Sequence, residues 1–133
     1  MNNSSLPNLL HFIKDVTARS KISKMTMVVG LIYVDRLKKK LPSTARGDID
    51  TPYKIFLSAI LVASKYLSDH SLQNKNIADI TNGLYTNRDV NTMERSFLCM
   101  LRYDLWVEAD EVKAFLEEHD ININWTDDKE DEA

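Results

Sequence analysis

The chain has 133 residues, a length that suits one domain of roughly 100–200 residues built on a single core. Hydrophobic residues make up 44% and charged residues 28%, which excludes collagen-like, low-complexity and wholly disordered classes. The net charge of −3 is unevenly spread: residues 1–54 hold ten Lys or Arg against four acids, and residues 103–133 hold two against twelve.

Three glycines and three prolines are all that interrupt the chain, and all but Gly30 fall where a helix would start or stop, so the sequence predicts an all-α fold. A first helix is expected from Pro7, tolerated in a first turn, to about Arg19, with Leu9, Ile13 and Val16 on one face. A second covers about Lys24 to Leu41. It ends in Lys38-Lys39-Lys40, a basic run that suits the negative end of a helix and reads as a solvated terminus. Pro42 and Gly47 mark a polar loop, and Thr51-Pro52 places a capping side chain before proline at the start of a third helix. From Ile55 to Leu67 this helix is apolar nearly all round, as a helix surrounded by others must be.

After a loop around His70 to Asn74, Ile77 and Ile80 predict a short fourth helix ended by Gly83. Thr86-Asn87-Arg88-Asp89 has the form of a capping box, with Asp in place of Glu, and opens a fifth helix to about Leu101. A sixth is expected from about Asp110 to Glu118. The acidic finish from Asp127 to Glu132 reads as a frayed tail, with residues after about Trp125 mobile and dispensable.

Chemistry-bearing residues are sparse. Cys99 is the single cysteine, so no disulfide is expected, and the chain reads as intracellular. His11, His70 and His119 lie on separate segments without a zinc-ligand spacing or a nucleophile signature, so neither metal, cofactor nor enzymatic activity is expected. The longest apolar stretch, Ile55 to Ala63, falls short of the ~20 residues that cross a membrane, and no signal peptide is apparent.

Two charges fall on apolar faces. Glu94 lies inside the stripe of Val90, Phe97, Leu98 and Leu101 on the fifth helix. Lys65 stands beside Val62 and Tyr66 on the third. An unpaired buried charge costs several kcal/mol, so each must reach water, pair, or serve a partner. Two roles stay open on geometry alone: an internal Lys65–Glu94 pair, or a polar hot spot within a partner interface.

The run from Phe56 through Lys65 to Asp69, followed by Val90-Asn91-Thr92-Met93-Glu94-Arg95 and Leu101-Arg102-Tyr103-Asp104-Leu105-Trp106-Val107, resembles a cyclin box. Tyr33 to Pro42 and Asn82 to Val107 are most similar to the fungal Pcl-type cyclins, which include a phosphate-signalling member. The resemblance implies a five-helix bundle around a central third helix, occupying residues 6–107. An N-terminal extension (1–5) would precede it, and a C-terminal helix with an acidic tail (108–133) would follow.

It further implies a non-catalytic subunit, monomeric before binding, that activates a cyclin-dependent protein kinase of the Pcl-partner type and helps select its substrates. Phosphate response and cell-cycle control are the associated settings, in the nucleus or cytoplasm. Residues matching Lys65 and Glu94 would contact kinase main chain, and Val62, Tyr66, Leu98 and Tyr103 would supply apolar contact. One departure stands out. Leu6-Pro7-Asn8 replaces the Met-Arg that opens the first helix of cell-division cyclins, so Asp35 lacks its customary arginine partner. The alternative is a cyclin-like-box module that binds nucleic acid, suggested by the basic front half and opposed by the net negative charge.

Overall fold

The computed structural model of the chain describes residues 6–67 and 71–125. Within these residues six helices follow one another: α1 (Leu9–Ser20), α2 (Lys24–Lys40), α3 (Thr51–Leu67), α4 (Asn74–Ile80), α5 (Asn87–Met100) and α6 (Ala109–Glu118). The chain is all-α, as its periodicity predicts. The expected tail from Asp127 to Glu132, the N-terminal extension and His70 lie outside the described residues.

The helix ends follow local chemistry. Asn8 caps α1 by accepting from the His11 N–H at 3.2 Å, so Pro7 precedes the cap instead of occupying the first turn. Ser23 caps α2, accepting from the Thr26 N–H at 3.1 Å. The first backbone bond of α3 runs from the Lys54 N–H to the Asp50 carbonyl, which moves the start one residue earlier than the Thr51-Pro52 pair suggests. On α5 the capping box forms in both directions, Thr86 N–H to Asp89 at 2.9 Å and Asp89 N–H to Thr86 at 3.1 Å. Aspartate is thus long enough to close the box.

Helix α3 is the hub. Tyr53 and every residue from Phe56 to Ser64 are buried, and different sides of the helix serve different clusters. Phe56, Leu57, Ile60 and Leu61 pack with Phe12 and Val16 of α1, Ile77 of α4 and Val90 of α5. Ala59, Val62 and Ala63 pack with Val29, Tyr33 and Leu37 of α2 and with Phe97 and Leu101. Gly30 faces α3 with room for a methyl, which would sit in ordinary contact with the Ala59 carbonyl oxygen at 3.5 Å and Ile60 at 3.6 Å. A smaller cluster of Val28, Ile32 and Val112 docks α6 onto α2.

Candidate functional site

The charges singled out in sequence meet at the joint of α3, α4 and α5. Lys65 Nζ donates to Glu94 Oε2 at 2.7 Å and to Asn74 Oδ1 at 2.8 Å. Asn74 in turn donates to Glu94 Oε1 at 3.1 Å and to Asn91 Oδ1 at 2.6 Å. Asn74 is brought there by Ser64, whose buried hydroxyl accepts from the Leu72 N–H at 2.9 Å and turns the chain into α4. The network is lopsided. The Lys65 side chain is 40% exposed and that of Glu94 is 15% exposed, so the carboxylate is fixed in the wall while the ammonium faces outward.

An ammonium has three N–H donors, and two are committed here. One remains for an incoming carbonyl.

Apolar side chains flank the pair on one side. Tyr66 is exposed and packs its edge against Tyr33 at 6.4 Å between ring centres. Tyr33 donates to the Leu105 carbonyl at 2.9 Å, tying α2 to the segment after α5. Burial, with a smaller contribution from Tyr66, pushes the Tyr33 hydroxyl well above the usual tyrosine range. In that segment Arg102 and Tyr103 both have left-handed backbone, φ 58° and 54°, and Tyr103 and Trp106 are 62% and 70% exposed. Residues with a side chain seldom adopt that conformation.

Arg36 holds the segment in place. It donates to the Asp104 and Trp106 carbonyls at 2.7 Å each and reaches both oxygens of Glu111 at 2.7 and 2.8 Å.

The residues matched to the cyclin box therefore take different places. Lys65, Tyr66 and Tyr103 are exposed, and Leu98 is partly buried against the cluster beneath them. Val62, at 4% exposure, lies inside that cluster, so in the free chain it supports the face from below and presents no contact surface. The reason is the crossing with α2, which covers the side of α3 that carries it. Asp35 is not left alone: it pairs with Lys39 at 2.9 Å. Sequence reasoning missed Asn74, Asn91 and Arg36.

Among the described residues no group of three or more His, Cys, Asp or Glu side chains is placed to hold a metal ion. His11 is exposed on α1, His119 stacks beside Phe115, and Cys99 is exposed on α5. Among these residues no helix is long and apolar enough to cross a membrane.

Residues 1–106 match the family described as Cyclin, N-terminal domain. Over 107 residues the chain is 35% identical to PHO85 cyclin-1 of Saccharomyces cerevisiae, covering 80% of this chain and 38% of that protein. It is 36% identical over 99 residues to PHO85 cyclin-9 of the same yeast, covering 74% of this chain and 33% of the relative. Identity to the G2/mitotic-specific cyclin-A of Spisula solidissima is 28% over 99 residues, 74% of this chain and 22% of the relative. The chain thus spans 38% or less of the length of these relatives. No solved structure matches it significantly.

Proposed function

The chain belongs to the cyclin family, and on that premise we propose that it is a regulatory subunit, without catalysis of its own, that binds and activates a cyclin-dependent protein kinase and helps select its substrates. The observation that carries this reading is the Lys65–Glu94–Asn74 network, a half-exposed polar centre next to the exposed Tyr66. A partly exposed, hydrogen-bonded charge pair next to an aromatic side chain has the makings of a docking hot spot. Lys65 offers its remaining N–H to a carbonyl, and Glu94 offers its remaining lone pairs to an N–H, so the two can grip main chain. A kinase is active only when its mobile helix brings a glutamate to the ATP-binding lysine. A subunit that binds this arrangement preferentially shifts the kinase toward it.

The names of the yeast relatives attach them to PHO85, which supports a partner of that Pcl-type class; that the chain meets it as a monomer, in the nucleus or cytoplasm, is part of the same proposal. Phosphate response or cell-cycle control would be its setting. The nucleic-acid-binding alternative is not favoured, since the relatives named above are cyclins.

Phosphate transfer to a peptide by a PHO85-type kinase, measured with and without the purified chain, tests the proposal. Activity should rise with added chain and saturate. A folded chain that leaves every cyclin-dependent kinase of its own organism unchanged would end the reading.

A further inference from the structure

Helix α5 carries a second feature that faces away from the core. Arg88 and Arg95 are one heptad apart on the helix, and Arg102 follows at the same interval, just past the residue that ends it; all three are exposed. Among the described residues none of the three side chains has an ion-pair or hydrogen-bond partner. The other arginines are engaged: Arg19 with Asp15 and Asn82, Arg36 with Glu111, and Arg46 with the Ala45 carbonyl. The side chains between them on this side, Thr92, Ser96 and Cys99, carry no charge, and the two acids of the helix are occupied elsewhere. Asp89 closes the capping box and Glu94 holds Lys65 and Asn74. In a chain whose net charge is −3, the stretch from Thr92 to Cys99 on this side carries Arg95 and no acid. At the N-terminal end of the helix Arg88 lines an open hollow of about 600 Å³ with Lys54, Asp48, Asp50 and Asp89; Asp50 is held by Tyr85 and Lys54, and Asp89 by the capping box.

We propose that Arg88, Arg95 and Arg102 form a docking lane for an extended segment of a partner protein that carries Asp or Glu at every third position. From Arg88 to Arg95 seven residues of helix rise ~10.5 Å, and three residues of extended chain span ~10 Å, so the two periods match over that interval; Arg102 lies beyond the helix end in left-handed backbone. A guanidinium fork pairs with one carboxylate through two parallel hydrogen bonds. Single arginines this far apart suit single carboxylates better than a nucleic-acid strand, whose charges follow one another at ~3.4 Å along the helix axis. The lane adjoins Leu98 and Tyr103, so a segment lying in it would continue the face proposed for the kinase. It stands or falls without that reading, because it is tested on the chain alone.

The probe is a short fluorescent peptide with three glutamates at every third position in a Gly/Ser/Ala background, followed by anisotropy at low salt. Binding should be weak, fall with added salt, and drop about tenfold when Arg88→Ala, Arg95→Ala and Arg102→Asn are combined. Asparagine is chosen at 102 because it tolerates the left-handed backbone there. Removing the same charge through Lys14→Ala, Lys38→Ala and Lys75→Ala should leave binding within about twofold. A peptide with its three glutamates adjacent should bind more weakly.

No binding, an equal loss in the lysine variant, or an oligonucleotide that competes as tightly as the peptide would overturn the proposal. A phosphoserine version that binds where the glutamate peptide does not would overturn the carboxylate assignment. Tighter peptide binding after removal of residues 126–133 would overturn the partner assignment, making the chain's own acidic end the occupant.

Discussion

Lys65 and Glu94, twenty-nine positions apart on separate helices, meet at 2.7 Å with unequal exposure. Both oxygens of the carboxylate are engaged, one by Lys65 and the other by Asn74. Neither charge is therefore stranded when the chain is free, and neither is sealed from a partner. The two roles that geometry leaves open in the sequence, internal pair and docking centre, are compatible in one arrangement.

That compatibility predicts a split between stability and binding. Lys65→Ala leaves Glu94 held by Asn74, and Glu94→Ala leaves an ammonium that can reach water, so each change should cost ~1 kcal/mol or less of stability. Kinase binding should weaken by ~2 kcal/mol or more in each. Combining Lys65→Met with Glu94→Leu should give a folded chain that still fails to bind, because apolar side chains cannot satisfy main-chain polar groups. Thermal melts and calorimetric titrations decide it. A double variant that binds like the unaltered chain would assign the pair to folding alone.

The fold was legible in the sequence wherever apolar spacing or cap chemistry set it. The all-round apolar run of α3, the Thr86 and Asp89 capping box and the placing of Lys65 and Glu94 on apolar faces follow from periodicity and side-chain type, whereas their pairing was one of two roles left open. Asn74 and Asn91 were invisible because an asparagine at a helix start or on a polar face looks like any solvated amide. Arg36 was missed for a different reason. Two of its acceptors are backbone carbonyls, which every residue carries, so no spacing announces them. That Val62 is covered by α2 in the free chain was not legible, because a helix apolar on all sides does not say which side a neighbour covers.

Arg36 should be a stability determinant for the segment between α5 and α6. Its side chain is 14% exposed and holds the Asp104 and Trp106 carbonyls and the Glu111 carboxylate, with a longer contact to the Asp104 carboxylate at 3.5 Å. Arg36→Ala should cost ~2–3 kcal/mol, since hydrogen bonds to charged groups are worth more than neutral ones. Arg36→Lys should recover little, because one ammonium cannot span three acceptors in a planar fork. Urea unfolding measures both. A fully stable Arg36→Ala chain would show that the cluster of Val28, Ile32 and Val112 secures α6 unaided.

Gly30 offers the opposite test. The methyl of alanine would sit at ordinary contact distance from Ala59 and Ile60, and glycine in a helix interior is unfavourable by about 0.5–1 kcal/mol relative to alanine. Gly30→Ala should therefore raise the melting temperature. Gly30→Val should lower it, since two further methyl groups must push α2 away from α3. A lower melting temperature for alanine would mean that the two backbones need the closer approach.

Alkaline pH should unfold the chain through two buried tyrosines. Tyr33 donates to the Leu105 carbonyl and Tyr85 donates to the Asp50 carboxylate at 3.2 Å. Burial raises both hydroxyls above their ordinary value of 10.0, helped at Tyr33 by Tyr66 and at Tyr85 by the Asp50 charge. The sign follows from which state releases its proton first. Below the unfolded value of 10.0 both states keep the proton and the contribution is complete. As pH rises past it the unfolded chain ionises while the fold stays neutral, so stability falls with pH until the folded groups ionise too. Urea midpoints measured from about pH 9 to about pH 11 should drop across that window. Tyr85→Phe should flatten the drop, at a cost of ~1 kcal/mol at neutral pH for the lost hydrogen bond, while Asp50 keeps its contact with Lys54 at 3.5 Å. Tyr33→Phe should flatten it as well, and the two together should flatten it most. Midpoints that fall equally steeply in the double phenylalanine variant would place the alkaline transition on other groups.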